Sequence, residues 1–244
     1  MKENKYDNPD FFDQYSRMTR SVEGLKGAGE WHMLQKMLPE FEGKRVLDLG
    51  CGFGWHCAYV VEHGAVSVTG IDLSEKMLEE ARKRNNSPRI AYKCMAVEDF
   101  EFLPDTFDIV ISSLTFHYLA SFDDICRNVN RCLSQGGTFV FSVEHPVFTA
   151  YGSQDWYCDQ EGNRLHWPVD NYFGEGLRRS TFLGEEVVKY HKTLTTYING
   201  LLKSGFEITE LVEAQPQKEL VETILDMKDE LRRPMMLLIS ATKK

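Results

Sequence analysis

The sequence has no long basic run, no closely paired cysteines and no long apolar segment, and each absence excludes a class of protein. Its 244 residues carry a formal net charge of −9. Lysine and arginine gather only in short groups, such as those at 82–84 and 232–233. Because a nucleic-acid backbone binds through clustered positive charge, we expect no nucleic-acid partner.

Membrane and metal-binding classes are excluded on similar grounds. No apolar run approaches the ~20 residues of a membrane span, and the polar first residues lack the apolar core of a secretory signal. We therefore expect no membrane partner and a cytoplasmic location. The six cysteines form no C-x-x-C pair and have no histidines at zinc-ligand spacing. We expect reduced thiols and no bound metal.

The composition that is present is that of a globular protein with a full core. Hydrophobic residues make up 42% and charged residues 27% of the 244 residues, enough for one α/β domain. The regular patterning breaks over 146–186, and no internal repeat is visible. We expect a single domain over 1–244, with an N-terminal helical cap over 1–40 and an inserted substrate lid over 146–186.

Short apolar runs alternate with stretches of helical periodicity along the rest of the chain. Fully apolar runs favour strands that are covered on both faces, and their alternation with helices predicts a parallel sheet. Ser74 is a candidate N-cap for the second of these helices. The predicted strands are 45–47, 67–72, 89–95, 107–112, 138–143, 206–212 and 235–240. The predicted helices are 55–63, 75–84, 123–133, 187–204 and 217–230.

The most informative residues are 48–54, which read Asp-Leu-Gly-Cys-Gly-Phe-Gly between the first predicted strand and helix. Glycines at such a junction let backbone N–H and carbonyl groups approach a ligand, and Asp72, at the end of the second strand, suits a ribose diol. Dinucleotide-binding proteins share both features. Their fingerprint G-x-G-x-x-G would need a third glycine at position 55, however, and this chain has Trp55 there and Gly54 one residue earlier.

The resulting pattern, D-x-G-x-G-x-G followed by Asp72, resembles the class I S-adenosylmethionine-dependent methyltransferases, and the small-molecule branch that includes ubiquinone and menaquinone biosynthesis methyltransferases. The resemblance implies an α/β fold: a Rossmann-like, seven-stranded, mostly parallel sheet with helices on both faces, an antiparallel seventh strand beside the fifth, and an inserted hairpin or lid after the fifth strand. It also implies S-adenosyl-L-methionine as cofactor and S-adenosyl-L-homocysteine as product. The reaction would be methyl transfer to a small-molecule acceptor by in-line displacement.

Two other functions are kept as alternatives. One is a non-catalytic protein that binds S-adenosylmethionine or has a regulatory role, since the sequence contains no unambiguous catalytic base. The other, less favoured, is an NAD-dependent oxidoreductase, which Trp55 argues against.

By the resemblance, the cofactor lies over the carboxyl ends of the strands. Gly50, Cys51 and Gly52 would approach its methionyl part, and Asp48 would help through its charge. Asp72 would accept hydrogen bonds from both ribose hydroxyls. The remaining residues expected to contact or cover the cofactor are Leu73 and Met77 at the adenine, Val97 and Glu98 at its edge, Ser113 and Leu114 beside the methionyl chain, and Tyr15 and Arg20 near the carboxylate.

One of these loops departs from the family pattern. Ala96 stands where the family often has an acid that accepts from the adenine amino group. The contact to adenine would then come from the backbone N–H of Val97, with Glu98 as the nearest acid.

Candidate bases for the acceptor follow the fifth strand. A hydroxyl or ammonium acceptor must lose its proton to such a group. Glu144 and His145 end the fifth strand, and His191 is expected on the helix 187–204. No Asn-Pro-Pro-aromatic segment follows the fourth strand, which argues against methylation of an adenine or glutamine amino nitrogen. The inserted aromatic residues either line an acceptor site or form a satellite core; they are Trp156, Trp167 and Tyr172.

Overall fold

A seven-stranded sheet lies at the centre of the structure, a computed structural model that describes residues 4–223 and 227–244. Within these residues the strands are β1 Arg45–Leu49, β2 Ser67–Asp72, β3 Ile90–Cys94, β4 Phe107–Ser113, β5 Leu133–Glu144, β6 Tyr157–Cys158, β7 Arg164–His166, β8 Gly176–Phe182, β9 Glu185–His191, β10 Phe206–Ala214 and β11 Met236–Lys243. The helices are α1 Pro9–Ser16, α2 Thr19–Val22, α3 Trp31–Met37, α4 Trp55–Glu62, α5 Glu75–Arg84, α6 Phe122–Cys132, α7 Pro146–Ala150, α8 Leu194–Lys203, α9 Lys218–Thr223 and α10 Met227–Glu230.

The strands of the sheet lie in the order β10-β11-β5-β4-β1-β2-β3. Strands β1 to β5 are parallel to their neighbours within this group, while β11 is antiparallel to both β5 and β10. The predicted Rossmann-like sheet, with an antiparallel seventh strand beside the fifth, is confirmed. The strand order reverses at β1, which pairs with β2 on one side and β4 on the other. Open α/β sheets bind their ligands beyond the carboxyl ends of the strands at such a point.

Successive residues of β1 contact opposite layers of helices. Leu47 belongs to a buried cluster with residues of α6 and α8, whereas Val46 belongs to a second cluster with residues of α4 and α5. Side chains of a strand alternate between its two faces, so both faces of the sheet are covered. This double burial explains why the strands read as continuous apolar runs.

The segment 187–204 is not one helix, and this sequence prediction was wrong. Its first residues belong to β9, which pairs antiparallel with β8, and α8 begins only after the N-cap Thr193. Val187, Lys189 and His191 are buried while the residues between them are partly exposed, which is the period of a strand. The sequence hid that period because two of the three inward residues are polar.

Other elements differ from the prediction mainly at their ends. β5 begins at Leu133, directly after α6, and not beyond the glycines at 136 and 137. The predicted helix over 217–230 corresponds to α9 and α10, and positions 224–226 are outside the described residues. No helix in the described part of the chain is long and apolar enough to cross a membrane.

An ion pair joins the amino ends of β1 and β4. Arg45 Nη2 donates to Asp108 Oδ1 at 2.8 Å, and Arg45 Nε and the Arg45 backbone N–H donate to Oδ2 at 3.0 and 2.9 Å. The hydrogen bonds from Arg45 lower the pKa of Asp108 to about 2, with a smaller contribution from Ser134.

Asp108→Asn removes the charge that pairs with Arg45, so we expect it to lower the free energy of unfolding by about 1–2 kcal/mol at neutral pH. The loss is modest because both partners are partly exposed. The folded pKa lies below the unfolded one, so this stabilisation is present above about pH 4 and is lost as the pH falls toward the folded value. Urea unfolding of both proteins near neutral pH and near pH 3 measures the difference. The control is Glu101→Gln, an exposed position in the loop before β4. A difference that stays the same at both pH values would contradict the assignment.

Candidate active site

The glycine turn between β1 and α4 has a backbone conformation that favours glycine. Gly50, Gly52 and Gly54 have φ angles of 74°, 52° and 74°, which residues with a Cβ rarely adopt. A Cβ at Gly50 would collide with the side chain of Thr115, while a Cβ at Gly52 would meet no atom within 4 Å. Gly52 therefore faces open space at the carboxyl end of β1.

Asp72 holds this turn against the end of β2. Its Oδ2 accepts from the Gly52 backbone N–H at 2.9 Å, and its Oδ1 accepts from the Ser74 backbone N–H at 2.9 Å. Each carboxylate oxygen retains a further lone pair, which is what a ribose diol needs. Burial raises the pKa of Asp72 above its usual value, although the two backbone donors oppose this shift.

Asp48 is placed under the turn. It is buried, its Oδ2 lies 3.3 Å from Cys57 Sγ, and burial raises its pKa to about 7. Asp48 is not among the described residues that line the cavity over the turn. Asp48 therefore lies behind the cavity wall, and the contribution of its charge to cofactor binding, directly or through water, stays a prediction.

A cavity of about 720 Å³ extends from the glycine turn to the hairpin β8–β9. Its volume is typical of a small-molecule site. Residues from the N-terminal segment, the strand ends and the hairpin share its wall. It brings together every residue predicted to bind the cofactor other than Asp48: Tyr15, Arg20, Gly50, Cys51, Gly52, Asp72, Leu73, Met77, Val97, Glu98, Ser113 and Leu114.

The N-terminal segment covers one side of this cavity. Arg20 Nη2 lies 2.6 Å from Oε1 of Glu30, whose side chain is 1% exposed. Sequence reasoning missed Glu30, because an acid before a short helix carries no signal of its own. Tyr15 packs edge-to-face against Tyr6 and Phe53, so the segment is tied to the glycine turn by ring contacts.

Glu144, at the carboxyl end of β5, lines the far part of the cavity. Its Oε1 accepts from Lys189 Nζ at 2.6 Å, and its Oε2 accepts from Gln154 Nε2 at 2.8 Å. Lys189 Nζ also donates to Gln154 Oε1 at 2.8 Å, which closes the network. Burial raises the pKa of Glu144, but attraction to the Lys189 ammonium and the hydrogen bonds from Lys189 and Gln154 outweigh it, so its pKa lies below its usual value. Glu144 is therefore ionised at neutral pH.

The two histidines predicted as candidate bases do not line the cavity formed by the described residues. His145 caps α7: its Nδ1 accepts from the Val147 N–H at 3.0 Å, and its Nε2 lies 2.9 Å from Glu213 Oε1. His191 lies on β9 and not on a helix. Its Nδ1 is 2.7 Å from Thr149 Oγ1, and its Nε2 is 2.8 Å from the Tyr172 carbonyl oxygen. Both rings are engaged in contacts that hold the insert.

Three residues that the sequence did not single out line the cavity near Glu144. His117 Nδ1 accepts from the Glu144 N–H at 3.4 Å, and burial lowers the pKa of His117 to about 4. The hydroxyls of Tyr6 and Tyr118 lie 3.4 Å apart. A neutral imidazole and two phenols thus accompany the carboxylate, and no regular sequence pattern marks them because they come from short 3-10 turns.

The aromatic residues of the insert form a satellite core. Trp167 stacks on Phe148 with ring centroids 5.0 Å apart, and Trp156 meets Trp167 edge-on at 5.2 Å. The guanidinium of Arg233 lies 4.4 Å from the Trp167 ring. Trp156, Trp167 and Tyr172 are not among the described residues that line the cavity. Of the two roles left open by the sequence, the structure supports the satellite core for Trp156 and Trp167, while Tyr172 packs edge-on against His191.

Comparisons with known proteins agree with this architecture. The family model described as "Methyltransferase domain" matches residues 47–141. A crystal structure of a proposed S-adenosylmethionine-dependent methyltransferase from Listeria monocytogenes is 61% identical, with a TM-score of 0.87, and the alignment covers 91% of this chain and 99% of that one. The S-adenosylmethionine-dependent methyltransferase from Mesorhizobium loti is 44% identical, with a TM-score of 0.84 and coverage of 90% and 100%.

A match to a ubiquinone biosynthesis O-methyltransferase of Neisseria meningitidis serogroup C is shorter. It is 36% identical over 108 residues, which cover 43% of this chain and 45% of that protein. The shared part is thus less than half of each protein. With the sheet, the glycine turn and nearly full-length relatives in agreement, the chain belongs to the class I S-adenosylmethionine-dependent methyltransferases and uses S-adenosylmethionine as its methyl donor.

Proposed function

We propose that this enzyme methylates a small-molecule acceptor, which binds in the part of the cavity between the glycine turn and the hairpin β8–β9. The observation that carries the proposal is the continuity of the cavity. It runs past the residues predicted for the donor to Glu144, Tyr118 and the hairpin residue Phe182. An acceptor enclosed there would lie beside the donor, away from bulk water.

The donor's place in the cavity is also part of this proposal. Gly52 leaves open space above the turn, and Asp72 offers lone pairs beside it. Leu73 and Met77 supply apolar wall next to Asp72. Bound S-adenosylmethionine supplies an electrophilic methyl group on a sulfonium, which an acceptor lone pair takes by in-line displacement. The protein's part is to orient the acceptor, and orientation alone can supply much of the acceleration.

The size and cover of the cavity favour a small acceptor over a macromolecular one. The N-terminal residues Tyr6 and Phe11 close one side, and Phe182 packs against Phe11 at a ring distance of 5.9 Å. The N-terminal segment and the hairpin therefore meet over the cavity. A protein side chain or a nucleic-acid base would have to break the contact between Phe11 and Phe182 to reach the methyl donor.

Calorimetry and a methylation screen test the proposal together. We expect S-adenosylmethionine to bind and NAD not to bind at comparable concentrations. The purified enzyme, given donor labelled in its methyl group and a fractionated metabolite extract, should label low-molecular-weight products. Label that appears only in protein or nucleic acid would overturn the small-molecule assignment. Donor binding without transfer to any fraction would favour the non-catalytic alternative.

A further inference from the structure

Resting on the function proposed above, we propose that the Glu144 carboxylate binds the methyl acceptor through a hydrogen bond. The methyl acceptor then presents a hydroxyl or amino group that donates this bond. By the same contact, the site rejects acceptors that present a carboxylate. The Glu144–Lys189–Gln154 network is the feature that carries this inference.

The network has a defined polarity. Glu144 lines the cavity, whereas Lys189 and Gln154 are not among the described residues that do so. The Lys189 side chain is 5% exposed and that of Glu144 is 13% exposed. The carboxylate of the ion pair therefore faces the cavity, and the ammonium group lies behind it. A ligand in the cavity meets a negative charge at this point.

The carboxylate is also fixed in orientation. One oxygen is held by Lys189 and the other by Gln154, at 2.6 and 2.8 Å. Each oxygen keeps lone-pair capacity after accepting one bond. Because Gln154 comes from the insert and Lys189 from β9 while Glu144 ends β5, these two segments set the direction in which the carboxylate can accept. Such a preorganised acceptor needs little rearrangement when a ligand donates to it.

The chemistry around Glu144 supports a donor group on a largely apolar molecule. Phe182, Val187 and Met236 line the cavity wall, and burial keeps His117 neutral. An acceptor hydroxyl or amine would satisfy Glu144 while the remainder of the molecule contacts these side chains. A carboxylate in the same position has no hydrogen to donate to Glu144, and it would be desolvated against the oxygen face of the Glu144–Lys189 ion pair, which is unfavourable.

The proton balance of the transfer is consistent with this assignment. As the acceptor's oxygen or neutral nitrogen bonds to the methyl carbon, the C–S bond breaks and its electron pair stays on sulfur. A methylated hydroxyl then carries one bond too many and must lose its proton, whereas a methylated amine leaves as an ammonium ion. Glu144 is ionised and accepts that proton from the hydrogen bond it already makes, then passes it to solvent when the product leaves.

The test uses the full chain with S-adenosylmethionine and matched acceptors that differ in one group. Aromatic and aliphatic scaffolds of similar size each carry a hydroxyl, an amine or a carboxylate. We expect methyl transfer to hydroxyl or amine members and none to the carboxylates. Glu144→Gln should lower kcat/KM on the best acceptor by about tenfold or more, the loss of a hydrogen bond to a charged group. Its dissociation constant for S-adenosylmethionine should stay within about twofold, since Glu144 serves the acceptor.

Two further variants keep the result interpretable. Glu186→Gln changes an exposed carboxylate on β9 and should leave kcat/KM unchanged. Breaking a buried ion pair can unfold a protein, so Glu144→Gln combined with Lys189→Met removes both charges and should lose acceptor activity as Glu144→Gln does. Methylation of carboxylates by the unaltered enzyme, or full activity in the folded double variant, would overturn the inference and leave the proposed function standing. Donor binding with no transfer to any acceptor would overturn both.

Discussion

Asp72→Ala is expected to weaken binding of S-adenosylmethionine by about 1–3 kcal/mol, or roughly 5- to 150-fold in the dissociation constant. The variant removes the proposed acceptor for both ribose hydroxyls. It also removes the acceptor of the Gly52 and Ser74 backbone N–H groups, so the turn itself loses a restraint. Calorimetry gives the affinity, and urea unfolding without ligand shows how much of the loss comes from the fold.

The same carboxylate predicts a pH dependence. Burial raises the pKa of Asp72, so it takes up a proton at a higher pH than an exposed aspartate does. Affinity for S-adenosylmethionine should be highest above that pKa and should fall as the pH is lowered through it. The reason is that a protonated carboxyl cannot accept hydrogen bonds from both ribose hydroxyls. Asp124→Ala, at an exposed position in α6, should change neither affinity nor its pH profile. An unchanged affinity in folded Asp72→Ala would refute the ribose assignment.

The glycine turn and Asp72, which form the proposed donor site, could be predicted because the backbone there restricts residue type and spacing. The three glycines at 50, 52 and 54 are needed for positive φ angles in a turn that crosses the end of β1. Asp72 must end the next strand to reach the Gly52 N–H. Both requirements fix residue type and spacing over a short stretch of chain. The glycine turn and the alternation of strands and helices could therefore be predicted from the sequence.

The residues of the proposed acceptor site come together through contacts between distant segments, and such contacts require no fixed spacing in the sequence. Glu144 pairs with Lys189, which lies 45 positions later in the sequence. The sequence predicts a helix at Lys189, because a polar residue at an inward strand position hides the period of two. His145 and His191 attracted attention by residue type, yet their rings cap α7 and hold Thr149. Of the three candidate bases, which were chosen by residue type, only Glu144 lines the cavity formed by the described residues.

Gly52→Ala and Gly43→Ala form a matched pair that separates backbone strain from the ligand. Gly52 has a φ of 52° and Gly43 a φ of 71°, and a Cβ at either would meet no protein atom within 4 Å. Each substitution should therefore cost about 1–2 kcal/mol of stability through its backbone alone. The two sites differ in what occupies the open space: solvent at the exposed Gly43, and the cavity at Gly52.

Only Gly52→Ala should lose affinity for S-adenosylmethionine, because its methyl group projects where the proposed donor site requires bare backbone. One misplaced methyl group in a fitted site costs about 10- to 200-fold. Titration calorimetry with the donor, beside thermal unfolding of both ligand-free variants, measures the two effects separately. We expect similar losses in stability and a large difference in dissociation constant. If both variants bind the donor as the unaltered protein does, the space above Gly52 is not where the donor lies, and the turn has a purely structural role.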